Sequence, residues 1–159
     1  CINIVLLGKL PLKERDDMNG NVELLDYIYQ NSQMGVRTLK QLRKIVQDEE
    51  FKRYLNNQYL EYLDILEKAK YILNKNGYKE ISITMCAKMR TCIMITLNTL
   101  LDKSPSHISE MLIIGNNMGI INGVKNMKKY KNAKLGILNL MNKLVQTEEN
   151  NVQQLKRFL

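Results

Sequence analysis

An all-α bundle is the fold class this sequence predicts, and three observations carry it. Apolar residues recur at helical spacing over long stretches. Capping residues stand at the breaks between those stretches. Only two prolines occur in 159 residues, and no succession of short alternating segments with turn signals is present. A chain of this length buries one core and is short for two. Its 45% apolar and 25% charged content is that of a folded globular domain and argues against disorder.

The first long helix is expected from about Val22 to Val46, with Leu25, Ile28, Leu39, Leu42 and Val46 on one stripe and Asn21 as N-cap. Gln47-Asp48 is the break. Asp48 caps a second helix from Glu49 to about Asn74, Glu49 and Glu50 favour its N-terminal dipole, and Gly77 stops it. Phe51, Leu55, Tyr62, Ile65, Ala69 and Ile72 form its apolar stripe. Residues 82–101 are rich in Met, Ile and Thr; β-branching favours a strand there, but some twenty residues without a turn signal favour a helix. Asp102-Lys103-Ser104-Pro105 ends it with a cap followed by proline at the first helical position. A third helix follows over Pro105–Tyr130 and a fourth over about Asn132–Phe158, with a turn of only a residue or two between them.

Residues 1–17 are read apart from the fold. Lys13-Glu14-Arg15 can be encoded as a ribosome-binding sequence at suitable distance from Met18, so the leader is expected to be upstream read-through or disordered, and residues 18–159 to form the single domain. The apolar-then-charged order of this leader is the reverse of a signal peptide. Cys1, Cys86 and Cys92 are odd in number and without CxxC spacing, which reads as reduced thiols in a cytoplasmic protein. No apolar run is long enough to span a membrane.

The formal charge of +8 and pI near 9.4 raise the question of an anionic partner. Eighteen asparagines beside abundant Lys and Ile are what an AT-rich genome produces, and compositional charge alone is weak evidence. The charge is nevertheless concentrated: Lys125, Lys128, Lys129, Lys131 and Lys134 cluster at the turn between the third and fourth helices, and no Asp or Glu lies between Met111 and Thr147. Nucleic-acid modules add arginines, stacking aromatics or a recognition motif, and only Tyr130 is available here, so a solvated bundle end is the default reading. His107 and Glu110, an i, i+3 pair, are read as capping and packing at a helix start, since a lone histidine makes neither a metal site nor a dyad. Gly115, Gly119 and Gly123 repeat every fourth residue, and three helical glycines at roughly 1 kcal/mol each imply close approach by another helix. The two halves also echo one another: Met34-Gly35-Val36 matches Met118-Gly119-Ile120, with Val46 and Tyr130 twelve residues after each Met and Phe51 and Leu135 seventeen after.

Two helix hairpins joined by a long connection resemble the ferritin-like bundle, which crosses from its second to its third helix along the bundle length. The stretch Thr147-Glu148-Glu149-Asn150-Asn151-Val152-Gln153-Gln154-Leu155 resembles a ferritin-like fourth helix. Lys103-Ser104-Pro105-Ser106-His107-Ile108-Ser109-Glu110-Met111, with Met118-Gly119, is similar to uncharacterised ferritin-like proteins of spore-forming bacteria. The resemblance implies four core helices plus a crossover helix over about 82–101. It also implies where ligands would stand, one Glu on each of two helices and a Glu-x-x-His pair on each of the other two. Those positions map to Gln33 (or Gln30), to Gln58 and Glu61, to Asn117 (or Asn116), and to Glu148 and Asn151. Neutral amides at most of them imply a lost di-iron site, no cofactor and no bound metal. Glu148 and Gln58 both lie on apolar stripes, so a hydrogen bond between them is expected as a relic.

The function implied is that of a non-enzymatic ferritin-like structural or interaction protein in the cytoplasm of a bacterium. A homodimer or an unidentified protein partner suits such a scaffold. Anion or nucleic-acid binding through Lys125–Lys134 is the alternative, residual metal binding the second alternative, and a membrane partner is not expected.

Overall fold

The computed structural model describes residues 12–77 and 101–159, with side chains from Gly20 onward. Four α-helices account for nearly all of them: α1 Leu12–Ile45, α2 Glu49–Lys75, α3 Pro105–Lys129 and α4 Leu135–Leu155, followed by a 3₁₀ turn Lys156–Phe158. No strand occurs among the described residues. The crossover helix expected over 82–101, together with Cys1, Cys86 and Cys92, lies outside them.

The caps act where expected. Asp48 accepts the Phe51 N–H at 2.7 Å and starts α2, and Gly77 takes a φ of +64° just past its end. Ser104 accepts the His107 N–H at 3.3 Å ahead of Pro105, so His107 belongs to the capping turn of α3. Two boundaries differ from expectation. Helix α1 starts at Leu12, ten residues before Val22, and Asn21 is therefore not its N-cap. The Asn21 side chain instead accepts the N–H of Lys134 at 2.6 Å and caps the fourth helix from across the bundle. The α3–α4 turn is also longer than a residue or two, running from Tyr130 to Lys134. Within it the Ala133 N–H bonds to the Tyr130 carbonyl, and Ala133 tucks into the core.

These contacts fix the helix directions. At one end Gly20 of α1 meets the Tyr130 ring after α3, and Asn21 meets the start of α4. At the other end Phe51 of α2 packs on Phe158, ring centroids 4.8 Å apart, and Glu50 pairs with Arg157. The α1–α2 turn, Ile45 to Asp48, shares a crevice with Lys103, Ser104 and Pro105. So α1 and α4 run one way, α2 and α3 the other, and α2 ends and α3 begins at opposite ends of the bundle. The core between the helices holds Leu24, Leu25, Ile28, Leu39, Leu42, Phe51, Leu55, Ile65, Leu73, Ile108, Met141 and Leu144, all essentially inaccessible.

The echo between the halves has a structural counterpart. A Cβ on Gly35 would lie 2.8 Å from the Tyr62 ring of α2, and one on Gly119 would lie 2.3 Å from the Glu148 carboxylate of α4. Each hairpin thus closes over a glycine opposite a large side chain, the second set following the first after roughly 85 residues. The match fails at Phe51 and Leu135, of which the first is fully buried and the second exposed. Of the three spaced glycines in α3, Gly119 and Gly123 are used for close approach, and Gly115 has no described residue within 4 Å of the added carbon.

Alanine substitution should separate these cases by sign. Gly123→Ala meets Val145 at 2.6 Å, a stiff β-branched neighbour, and Gly35→Ala meets the Tyr62 ring, so each should lose about 1–3 kcal/mol of stability. Gly115→Ala gains helix propensity and meets no described residue, so it should stabilise by up to about 1 kcal/mol. Urea unfolding of the three variants measures this.

Candidate functional site

One carboxyl group brings all four helices together. Glu148 of α4 is 2% exposed. Its Oε1 accepts from Asn31 Nδ2 of α1 at 3.0 Å and lies 3.4 Å from the Tyr62 hydroxyl of α2. The carboxylate rests against the α3 backbone at Gly119, where any side chain would collide with it. The network extends outward. Tyr62 donates to Asn116 Oδ1 at 3.0 Å, and Asn116 Nδ2 donates to the Leu112 carbonyl one turn back. Asn31 Nδ2 also reaches the Tyr27 hydroxyl at 3.4 Å, and Tyr27 donates to the Gly119 carbonyl at 3.2 Å. Glu148 Oε2 and Asn151 Nδ2 are buried with no hydrogen-bond partner among the described residues.

A second, smaller group lies about one turn along α4 toward the aromatic end. Gln58, 2% exposed, donates to the Tyr54 hydroxyl on its own helix, and Tyr54 donates to the Asn151 carbonyl at 3.1 Å. The expected Gln58–Glu148 hydrogen bond is therefore not made. A same-helix partner four residues away meets Gln58 first, and Asn31 and Tyr62 take the carboxylate.

The positions carried over from the resemblance divide in two. Gln58, Glu148 and Asn151 point into the bundle. Glu61 and Asn117 are exposed, and Gln33 is half-buried with its amide on the Tyr29 hydroxyl. Of the Asn116–Asn117 alternatives Asn116 faces inward, and on the other two helices the inward residues are Tyr62 and Asn31, one or two positions away. Apolar periodicity could have found them: Asn31 follows Leu24 and Ile28, and Asn116 follows Ile108 and Leu112, at helical spacing. Lys125, Lys128, Lys129, Lys131 and Lys134 stand exposed at the α3–α4 turn, and none forms an ion pair with a described residue. Lys129 lies over the Tyr130 ring at 4.8 Å.

Burial sets the charge state of the centre. It pushes the Glu148 carboxyl up to about 8, against the opposing pull of hydrogen bonds from Asn31 and Tyr62. Burial and then the neighbouring Glu148 charge hold the Tyr62 phenol well above its usual range. At neutral pH the centre is thus chiefly an uncharged mesh of amides, phenols and one carboxylic acid. It can order helices and hold a proton, but it offers no nucleophile paired with a base.

Among the described residues no three His, Cys, Asp or Glu side chains gather as a metal-binding group, and no helix is long and apolar enough to cross a membrane. Comparison with protein-family models, with curated proteins and with solved structures finds no match.

The raised carboxyl has a signed consequence. In the unfolded chain Glu148 ionises near 4.5, while the folded chain keeps the proton to about 8. Stability from this group is full in acid, falls from about pH 4.5 as the unfolded chain ionises, and is gone once pH passes about 8. The loss is on the order of 5 kcal/mol at most. Glu148→Gln cannot ionise, so its stability relative to wild type should rise between pH 5 and pH 9, read by chemical unfolding at each pH. Glu148→Leu should be less stable than Glu148→Gln by about 1–3 kcal/mol at pH 7, because the buried Asn31 amide loses its acceptor.

Proposed function

We propose that this chain is a non-enzymatic scaffold or interaction protein of the ferritin-like kind, with a neutral hydrogen-bond network where that family keeps two irons. The observation that carries the reading is the donor set at the meeting point of the four helices. Glu148 is the single carboxylate among the buried polar residues described, surrounded by Asn31, Asn116, Asn151, Gln58 and Tyr62. Ferritin-like centres use four carboxylates and two imidazoles. One carboxyl group, pressed against Gly119, cannot offset the charge of two metal ions, so these residues do not fit a di-iron group. Two further features support the family reading: the up-down-down-up helix order, and the placing of the α2 end and the α3 start at opposite ends of the bundle, the arrangement that the family's crossover joins. A cytoplasmic bacterial scaffold, working as a homodimer or with a protein partner, follows from the resemblance.

Anaerobic loading with ferrous iron, desalting and metal analysis test the reading. Less than one iron per ten chains is expected. Retention of two per chain would overturn it in favour of metal handling.

A second reading rests on the lysine turn. Five exposed lysines, none in an ion pair with a described residue and in a sequence stretch free of Asp and Glu from Met111 to Thr147, present a positive surface to a nucleic acid or another polyanion. It requires a salt-sensitive mobility shift of a DNA or RNA probe that disappears when Lys128, Lys129 and Lys131 are neutralised together. If no shift occurs at low salt, the scaffold reading stands alone.

A further inference from the structure

Helix electrostatics accounts for only part of the lysine turn. Lys128 and Lys129 close α3, where the negative end of the helix dipole favours cations. Lys131 and Lys134 then stand before α4, at its positive end. Lys134 is the N-cap residue of α4, its own side chain makes no capping bond, and the first turn holds no acidic residue. Asp and Glu favour a helix start, so two lysines there raise the local potential instead of offsetting it. Neither pairs with a described acid.

At the same end of the bundle α2 and α4 leave an open cleft of about 620 Å³. It reaches Gly136, two residues past Lys134, and Tyr71, one helical turn before Lys75. Ile72 and Leu140 give it an apolar lining. Tyr71 is 65% exposed among the described residues, and the Lys75 ammonium lies 5.8 Å from its ring centroid. The charged groups of the cleft offset one another, because Asp64 pairs with both Lys68 and Lys143, and Glu67 pairs with Lys70. A near-neutral, partly apolar cleft edged by an open aromatic ring thus adjoins a strongly cationic turn.

We propose that the lysine turn and this cleft together bind single-stranded nucleic acid, with the lysines on its phosphates and the Tyr71 ring stacked on a base. The assignment rests on the lysine-turn reading and adds the class of strand. Lysines alone attract any nucleic acid in proportion to its charge density, which is higher in a duplex. An exposed ring reverses that order, since an unpaired base offers its face and a paired base only its edge.

Fluorescence anisotropy at low and rising salt tests this on the whole chain, with a labelled single strand of about 12 nucleotides, a length suited to one binding surface, and its duplex. The single strand should bind about fivefold tighter than the duplex or better, as stacking of one base supplies. Tyr71→Ala should remove that margin and leave duplex binding and the salt slope unchanged, while Tyr71→Phe keeps it. Neutralising Lys128, Lys129 and Lys131 together should weaken both probes and flatten the salt dependence. In the unsubstituted chain, irradiation of a bound strand containing iodouracil should place the cross-link on Tyr71. Tighter duplex binding, an unchanged Tyr71→Ala, or cross-links mapped only elsewhere would overturn the stacking cleft and leave the lysine-turn reading standing. Polyglutamate that displaces the strand as well as an unlabelled strand of equal charge would mark a surface for acidic polypeptides and refute the assignment. If neither probe binds at low salt, the lysine-turn reading itself fails and takes the assignment with it.

Discussion

The Glu148 carboxyl is the point at which α1, α2, α3 and α4 all meet, and the arrangement of the four helices depends on how it is satisfied. A carboxylate removed from water costs several kcal/mol unless it is paired, bonded or neutralised. Here Asn31 donates from one helix, the Tyr62 hydroxyl stands 3.4 Å away on a second, Gly119 of a third makes room, and the proton is retained to about pH 8. Sliding any one helix by a turn, about 5.4 Å, would leave several of these groups without partners. An apolar core of the same volume tolerates such slips more easily. The polar centre therefore selects one axial register, the best-attested use of buried polar groups.

The glycines complete that constraint. Gly35 and Gly119 occupy comparable places in the two hairpins, each facing a side chain that a Cβ would displace, Tyr62 in one and Glu148 in the other. Asn31 and Asn116 likewise each reach across to the opposite hairpin, one to Glu148 and the other to Tyr62. The centre is thus close to twofold in layout and asymmetric in chemistry: an acid occupies one side and a phenol the other. The ends differ as well. Phe51, Tyr54 and Phe158 close one end with rings 4.8 to 6.4 Å apart, and the other is tied by the Asn21 cap on Lys134.

This division of labour bears on what the protein can do. A mesh of amides, phenols and a protonated acid orders the four helices, and no nucleophile paired with a base stands in it among the described residues. The groups able to meet a partner lie outside it: the lysines of the α3–α4 turn, and the apolar outer side of α3. The first is open in the described structure. The second carries Ile114, Met118 and Ile121, each about half exposed.

Much of the bundle was legible before any contact was known. Asp48 and Ser104-Pro105 announced two helix starts because capping is local chemistry between a side chain and backbone three residues on. The stripe from Phe51 to Ala69 located the core of α2, and the place of Glu148 between Val145 and Val152 marked it as an inward acid, because burial follows a periodicity intrinsic to the helix. Which polar neighbour faces the centre was another matter. Adjacent helical residues differ by about 100°, roughly the width of a buried stripe, so Asn116 or Asn117, Tyr62 or Glu61, and Asn31 or Gln30 depend on how each helix rotates against its neighbours. Partner choice lay further out of reach. Gln58 turned to Tyr54 on its own helix, and Asn21 capped the fourth helix instead of its own. Caps and periodicity act over a few residues of one chain segment and can be read from it. Rotation, register and hydrogen-bond partners arise where separate helices press together, and only the tertiary structure decides them.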